Sequence, residues 1–177
     1  MTLLATPDAY GALIEPATVK IQRLLPGPVE RVWAYLTESD LRRRWLAAGE
    51  MTFKVGAPFE LVWRNDELTD PPGERPADKA VEHRAKARIT ELDPPRRLGI
   101  LWEGTGEVSF DLEPQGDKVL LTLVHRRLPD QKTVLGVSAG WHAHLDVLAA
   151  RLTGAAPEPF WDRLNRLRAE YEKRLPS

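Results

Sequence analysis

Cysteine is absent from the 177 residues. Without a thiol there is no disulfide, no thiolate nucleophile and no cysteine-ligated zinc. Neither sign of charge is in excess. Lys and Arg number 25 and Asp and Glu 26, for a net charge of −1, whereas a dedicated nucleic-acid binder carries a strongly basic domain. No apolar run approaches the ~20 residues that a bilayer-spanning helix needs. The opening residues Met1 to Pro7 lack the basic region and long apolar core of a secretory signal. A cytoplasmic chain with no nucleic-acid partner, no membrane span and no cofactor or metal is the expectation.

What is present is a length suited to one domain, which at this size buries roughly 70% of its unfolded surface. Residues 1–16 show no period and are expected to form an irregular arm before a single domain over 17–175. Residues 17–25 alternate, with Val19, Ile21 and Arg23 on one face, and predict a strand ended by Pro26-Gly27-Pro28. Val29, Val32, Trp33 and Leu36 then make one helical stripe, with Pro28 in the position a first turn tolerates. Ser39 is placed to cap a second short helix carrying Leu41 and Trp45. Arg42, Arg43 and Arg44 fall mostly off that apolar face and read as solvated surface, with phosphate binding the lesser alternative.

Strand alternation dominates the middle. Met51 and Phe53, then Phe59, Leu61 and Trp63, then Val81, His83, Ala85, Ala87 and Ile89 define successive inward faces. Residues 65–79, polar and proline-rich, read as a long surface loop, a candidate mobile element beside a cavity mouth. Leu98, Ile100 and Trp102, then Val108, Phe110 and Leu112, then Val119, Leu121, Leu123 and His125 follow, separated by tight turns, as in an antiparallel meander. Last comes a helix of about five turns, Val134 to Leu152, with Asp130 as its cap, then a more charged stripe from Trp161 to Leu175. The layout is α+β: one sheet buries its apolar face against the terminal helix.

That order resembles a known family. "RLLPGPVERVW" and "LRRRWL", with "LDPPRRLGILW", "VSFDLEPQGD", "LTLVH" and "GWHAHLDVLAARLTG", are similar to the activator of heat-shock-chaperone ATPase homologues. These belong to the START-like, or SRPBCC, superfamily with the Bet v 1-like helix-grip fold. The resemblance spans roughly residues 17–175. It implies a curved antiparallel sheet around a long C-terminal helix, with the two short helices closing one end. Trp33 and Trp45 would plug that end, leaving the arginines outside.

The resemblance also implies a cavity for a small apolar or amphipathic molecule. The inward faces supply its candidate lining: Phe53, Phe59, Leu61, Trp63, His83, Ala85, Ile100, Trp102, Phe110, Leu121, Leu123 and His125, with Trp141, His144 and Leu145 from the helix. Histidine is the one candidate reactive type, and His83, His125 or His144 would serve a cyclase-like enzyme as acid or base. His142 and His144 lie about 200° apart around a helix and cannot chelate one metal. No nucleophile elbow or phosphate-loop motif is found. Binding ranks first and enzyme second. A co-chaperone ranks third, because the eukaryotic activator has an additional chaperone-contacting domain, whereas about 16 residues precede the fold here. A homodimer is possible through the charged 161–174 stripe.

Overall fold

Period-two alternation places one face of the long strands in a common core, and the register shows how. The computed structural model describes residues 7–175. Strands β1 (Ala12–Glu15), β2 (Thr18–Pro26), β3 (Pro58–Trp63), β4 (His83–Asp93), β5 (Arg97–Trp102), β6 (Gly106–Gln115) and β7 (Lys118–Arg126) form one antiparallel sheet. Its order is β1-β2-β7-β6-β5-β4-β3. Val19, His125, Val108, Ile100 and Ile89 lie side by side across five strands and are all buried. Each such apolar neighbour pair contributes roughly 0.2–1 kcal/mol. Helices α1 (Val29–Thr37) and α2 (Ser39–Arg42) follow β2, and α3 (Gln131–Thr153) and α4 (Phe160–Arg174) end the chain.

Helix α3 runs for 23 residues, between a cap at Asp130, whose carboxylate accepts from the Thr133 N–H at 2.7 Å, and Gly154 in the left-handed region. Its apolar stripe packs on the sheet. Its other side is covered by α4 through Phe160, Trp161, Leu164, Leu167 and Tyr171. Both His142 and His144 are buried as a result. The curved sheet with its long gripped helix is the helix-grip arrangement expected from the α+β reading.

Several local expectations are corrected. Residues 12–15 are not irregular. They add an edge strand to β2, whereas the arm's first six residues lie outside the described residues. The segment is clasped from three sides: the Gly11 N–H donates to the Tyr171 hydroxyl (2.7 Å), Arg23 donates to the Ala9 carbonyl (2.7 Å), and Arg174 stacks over the Tyr10 ring (3.5 Å). Arg23 sits on the inward face because its guanidinium also pairs with Asp146 of α3 at 3.3 Å. Ser39 does not cap α2. Glu38 holds that position, and the Ser39 hydroxyl accepts instead from the Gly49 N–H.

Loop 65–79 is not a free surface hairpin. Leu68 and Thr69 are buried, and the loop satisfies the donors that any helix leaves unpaired in its first turn. The Thr69 hydroxyl accepts from Phe160 N, the Pro72 carbonyl from Trp161 N, and Asp66 from the Trp161 indole at 2.6 Å. It is stapled to the start of α4 and contributes nothing to the lining of the cleft described below.

Arg42 overturns the solvated-surface reading for one member of the basic run. It is 2% exposed. Its guanidinium donates to the carbonyls of Leu36 and Thr37 at the end of α1, and to Ala47 and Gly49 beyond α2. A fork of fixed donors suits this task, since it meets orphan helix-end carbonyls and the negative end of the α1 dipole together. Burial lowers its pKa to about 10, with Glu50 acting the other way, so the charge persists at neutral pH. Trp45 is fully buried as expected, its indole donating to the Tyr35 carbonyl, and Trp33 is half-buried.

Candidate functional site: an aromatic-walled cleft

The wall begins with Trp102 at the end of β5. Its cross-strand neighbours are Ala87 and Gly106, both small. Gly106 has φ +118°, and a Cβ there would stand 2.1 Å from the Arg126 carbonyl oxygen. With no bulk on either side, the Trp102 indole lies over the sheet. It stacks on Trp63 (centroids 5.0 Å, planes at 25°) and meets Trp141 of α3 edge-on at 6.4 Å. Phe110 meets the same Trp141 ring edge-on at 5.8 Å. Edge-on and offset contacts of this kind are the favoured aromatic geometries.

These rings enclose two hollows. Behind them is a void of about 20 Å³ with an apolar surface, bounded by Leu61, Ile100, Phe110, Trp63, Trp102 and Trp141, with Arg42 and Trp45 also against it. That is room for about one water. In front is an open cleft of about 110 Å³, lined by Leu46, Trp63, Trp102, Gly136, Val137, Gly140, Trp141 and His144. Leu46, Trp63, Trp102 and Trp141 wall both. Gly136 and Gly140 lie one helical turn apart, and a Cβ added to either would meet nothing within 4 Å. The helix therefore presents bare backbone where the cleft opens. The expected ligand-sized interior is corrected in one respect: in this conformation aromatic rings fill most of it.

Of the lining read from sequence, Leu61, Trp63, Ile100, Trp102, Phe110, Trp141 and His144 border these hollows. Leu121, Leu123 and Leu145 are fully buried core residues that border neither. Phe53 is 56% exposed: residues 51–57 form a turn around Gly56 rather than a strand, so its alternation has no partner to act on. His83 is exposed and Ala85 half-buried because β4 overhangs β5, its pairing with β5 beginning only at Ala87. Val81 is exposed before β4 begins. Phe59 is buried near Arg42, 6.0 Å from ring centroid to guanidinium. Leu36, Arg42, Trp45, Leu46, Val108, Val137 and the two glycines were missed. The glycines did carry a signal, since each costs a helix about 1 kcal/mol against alanine and two at i, i+4 call for a reason.

The histidines divide by their hydrogen bonds. His125 accepts the Trp141 indole N–H at Nδ1 (3.0 Å), which fixes its proton on Nε2, where it donates to the Thr105 carbonyl (3.0 Å). Both nitrogens are spent, one on Trp141 and the other on Thr105, and burial lowers the pKa to about 4. His142 faces away from the cleft, against Tyr171 (2.9 Å) and Arg163 (3.3 Å), and burial again lowers it to about 4, with Asp146 opposing. His144 donates from Nδ1 to the Trp45 carbonyl at 2.8 Å. Its Nε2 keeps a lone pair with no partner among the described residues, and its pKa is also lowered to about 4 by burial. Neutral His144 is thus the one imidazole lining the cleft, equipped to accept a hydrogen bond. No carboxylate lines the cleft with it. Among the described residues, no group of three or more His, Asp or Glu is placed to hold a metal, and no helix is long and apolar enough to cross a membrane.

A sheet gripping a long helix, with an aromatic cleft between them, defines a START-like helix-grip protein. The family model for activator of Hsp90 ATPase homolog 1-like proteins matches residues 26–153, and the chain belongs to that family. A Bordetella parapertussis protein solved by solution NMR is 41% identical, over 98% of this chain and 94% of that one, with a TM-score of 0.80. CalU16 from Micromonospora echinospora, a crystal structure, is 26% identical over 89% of this chain and 87% of its own, with a TM-score of 0.65. The Aha1 dimer from Colwellia psychrerythraea shares the fold at 15% identity, covering 76% of this chain and 95% of that one, with a TM-score of 0.56. No curated protein matches the chain.

Proposed function

We propose that the protein binds a small hydrophobic or amphipathic molecule in the cleft between the sheet and α3. The observation that supports this is the open apolar cleft over Gly136 and Gly140, backed by stacked indoles with a void behind them. Such sites are mostly apolar, with a few polar groups that orient the ligand. Here the lone pair of His144 is that group. A flat aromatic part would slide against Trp63 and Trp102, and a hydroxyl would donate to His144 Nε2. Ligands larger than the cleft need Trp102, half-buried where Trp63 and Trp141 are buried, to swing outward. We place this binder in the cytoplasm, in keeping with a cysteine-free chain. A cyclase-like reaction would have to run on His144 alone, and chaperone binding rests on the family likeness alone, so both rank below binding.

Gly140→Leu is the test. The added side chain projects into open space, so the fold should persist while the cleft fills. With laurate and 1-naphthol as probes, we expect thermal stabilisation and tryptophan quenching in the parent. At least a tenfold loss of affinity is expected in the variant, the order that blocking a small apolar site implies. Equal binding to both proteins, or no saturable binding of either probe to the parent, would sink the proposal.

The dimeric Colwellia relative leads us to expect a homodimer. Sedimentation velocity would return twice the 20.0 kDa chain mass; a single species at the monomer mass across micromolar concentrations would refute it.

A further inference from the structure

A third hollow lies on the other side of the segments that wall the cleft. In β3, Trp63 points to the cleft, while its neighbours Val62 and Arg64 border a hollow of about 250 Å³. Likewise Leu46 lines the cleft, and Arg43 and Arg44 line the hollow. The last turn of α3 adds Arg151. Four arginines from three separate segments therefore border one depression, and Glu67 is the single acidic residue among its lining.

The charges in it are unevenly matched. Arg43 pairs with Glu67 at 3.6 Å, and Arg64 with Glu82 at 2.9 Å. Arg44 and Arg151 have no carboxylate within ion-pair distance among the described residues. Both are nonetheless held in place. Arg44 packs over the Tyr35 ring (6.0 Å) and donates to its hydroxyl (3.2 Å). Arg151 donates from Nε to the Arg44 carbonyl (3.3 Å) and from Nη2 to the Leu68 carbonyl (2.6 Å), and Nη1 has no partner among the described residues. Arginines fixed by their own backbone and ring contacts lose little freedom on meeting an anion, and their planar forks match phosphate oxygens two at a time.

We propose that this hollow is a binding site for a phosphate group carried by a small ester or a lipid head. The excess of guanidinium over carboxylate selects an anion. Arg44 and Arg151, which pair with no carboxylate among the described residues, keep unused donors for the several oxygens of a phosphate, while Arg43 and Arg64 add charge beside them. It shares no lining residue with the apolar cleft, so it stands or falls independently of the function proposed above.

Pyrophosphate is the probe, titrated into the full chain and followed by calorimetry and by the arginine Nε–H signals in NMR. Saturable binding that moves the Arg44 and Arg151 signals is expected. Arg44→Gln should weaken it about tenfold, the loss expected for removing one charged fork. Arg151→Gln should do the same, but it also unties two carbonyls. Arg44→Gln, whose only lost hydrogen bond is to Tyr35, therefore carries the decision. Vesicles of phosphatidic acid in phosphatidylcholine separate the sources: vesicle capture competed by pyrophosphate and lost in Arg44→Gln assigns a lipid head, and pyrophosphate binding alone assigns a soluble ester. The proposal is overturned if pyrophosphate shows no saturable binding, or if Arg44→Gln binds it as well as the parent.

Discussion

Lowering the pH from 7 to 5 is expected to destabilise the protein by several kcal/mol. Three buried imidazoles, His125, His142 and His144, have pKa values lowered to about 4 in the fold from an ordinary 6.5. Each is therefore neutral in the folded chain and readily protonated in the unfolded one. The unfolded state binds more protons between the two values, so stability is whole above about 6.5 and falls as the pH drops toward 4, below which the loss levels off. At pH 5 each contributes about 2 kcal/mol of destabilisation, and the three together about 6 kcal/mol, a large part of the 5–15 kcal/mol that domains possess. The value for His142 already contains the opposing pull of Asp146, 3.8 Å away. Urea titrations at half-unit pH steps would show the midpoint sliding down through this window. A midpoint unchanged between pH 7 and 5 would mean that these imidazoles are not buried and neutral as placed.

Replacing Arg42 with alanine is expected to cost about 3 kcal/mol or more, because orphaned buried acceptors each cost roughly 1–3 kcal/mol and four carbonyls lose their donor. Removing a desolvated cation gives back part of this, which keeps the figure below the sum. For a chain of this size the loss corresponds to a fall in Tm of about 6–12 °C. Arg42→Lys should rescue little, since one ammonium with three donors cannot span carbonyls from both helix ends. A variant as stable as the parent would show that Arg42 is the solvated residue its sequence neighbours suggest.

That contrast marks where the sequence was readable. From Arg97 to Arg126 every strand and turn was legible, because a sheet with one buried face prints its alternation directly, and tight turns set the register. Helix α3 was legible on its sheet side only. The α4 cover buries His142 and His144 on positions that a single apolar stripe does not mark. Arg42 was illegible for a different reason: its partners are backbone carbonyls, which have no letter in the sequence. Phe53 misled because two alternating residues specify a strand only if another strand is there to pair with. In the cleft, the tryptophans were expected from their faces, whereas Gly136 and Gly140 matter through the side chains they lack. The hollow of arginines was visible as a basic run but not as a site, since Arg64 and Arg151 join it only through the fold.

The stacking of Trp63 on Trp102, with Trp141 set across them, has an optical consequence. Indoles this close share their excited states, so their ultraviolet circular dichroism should split into a paired positive and negative band. A molecule that parted them, as the proposed ligand would, would uncouple the pair and erase the splitting, which gives an unlabelled readout of that proposal.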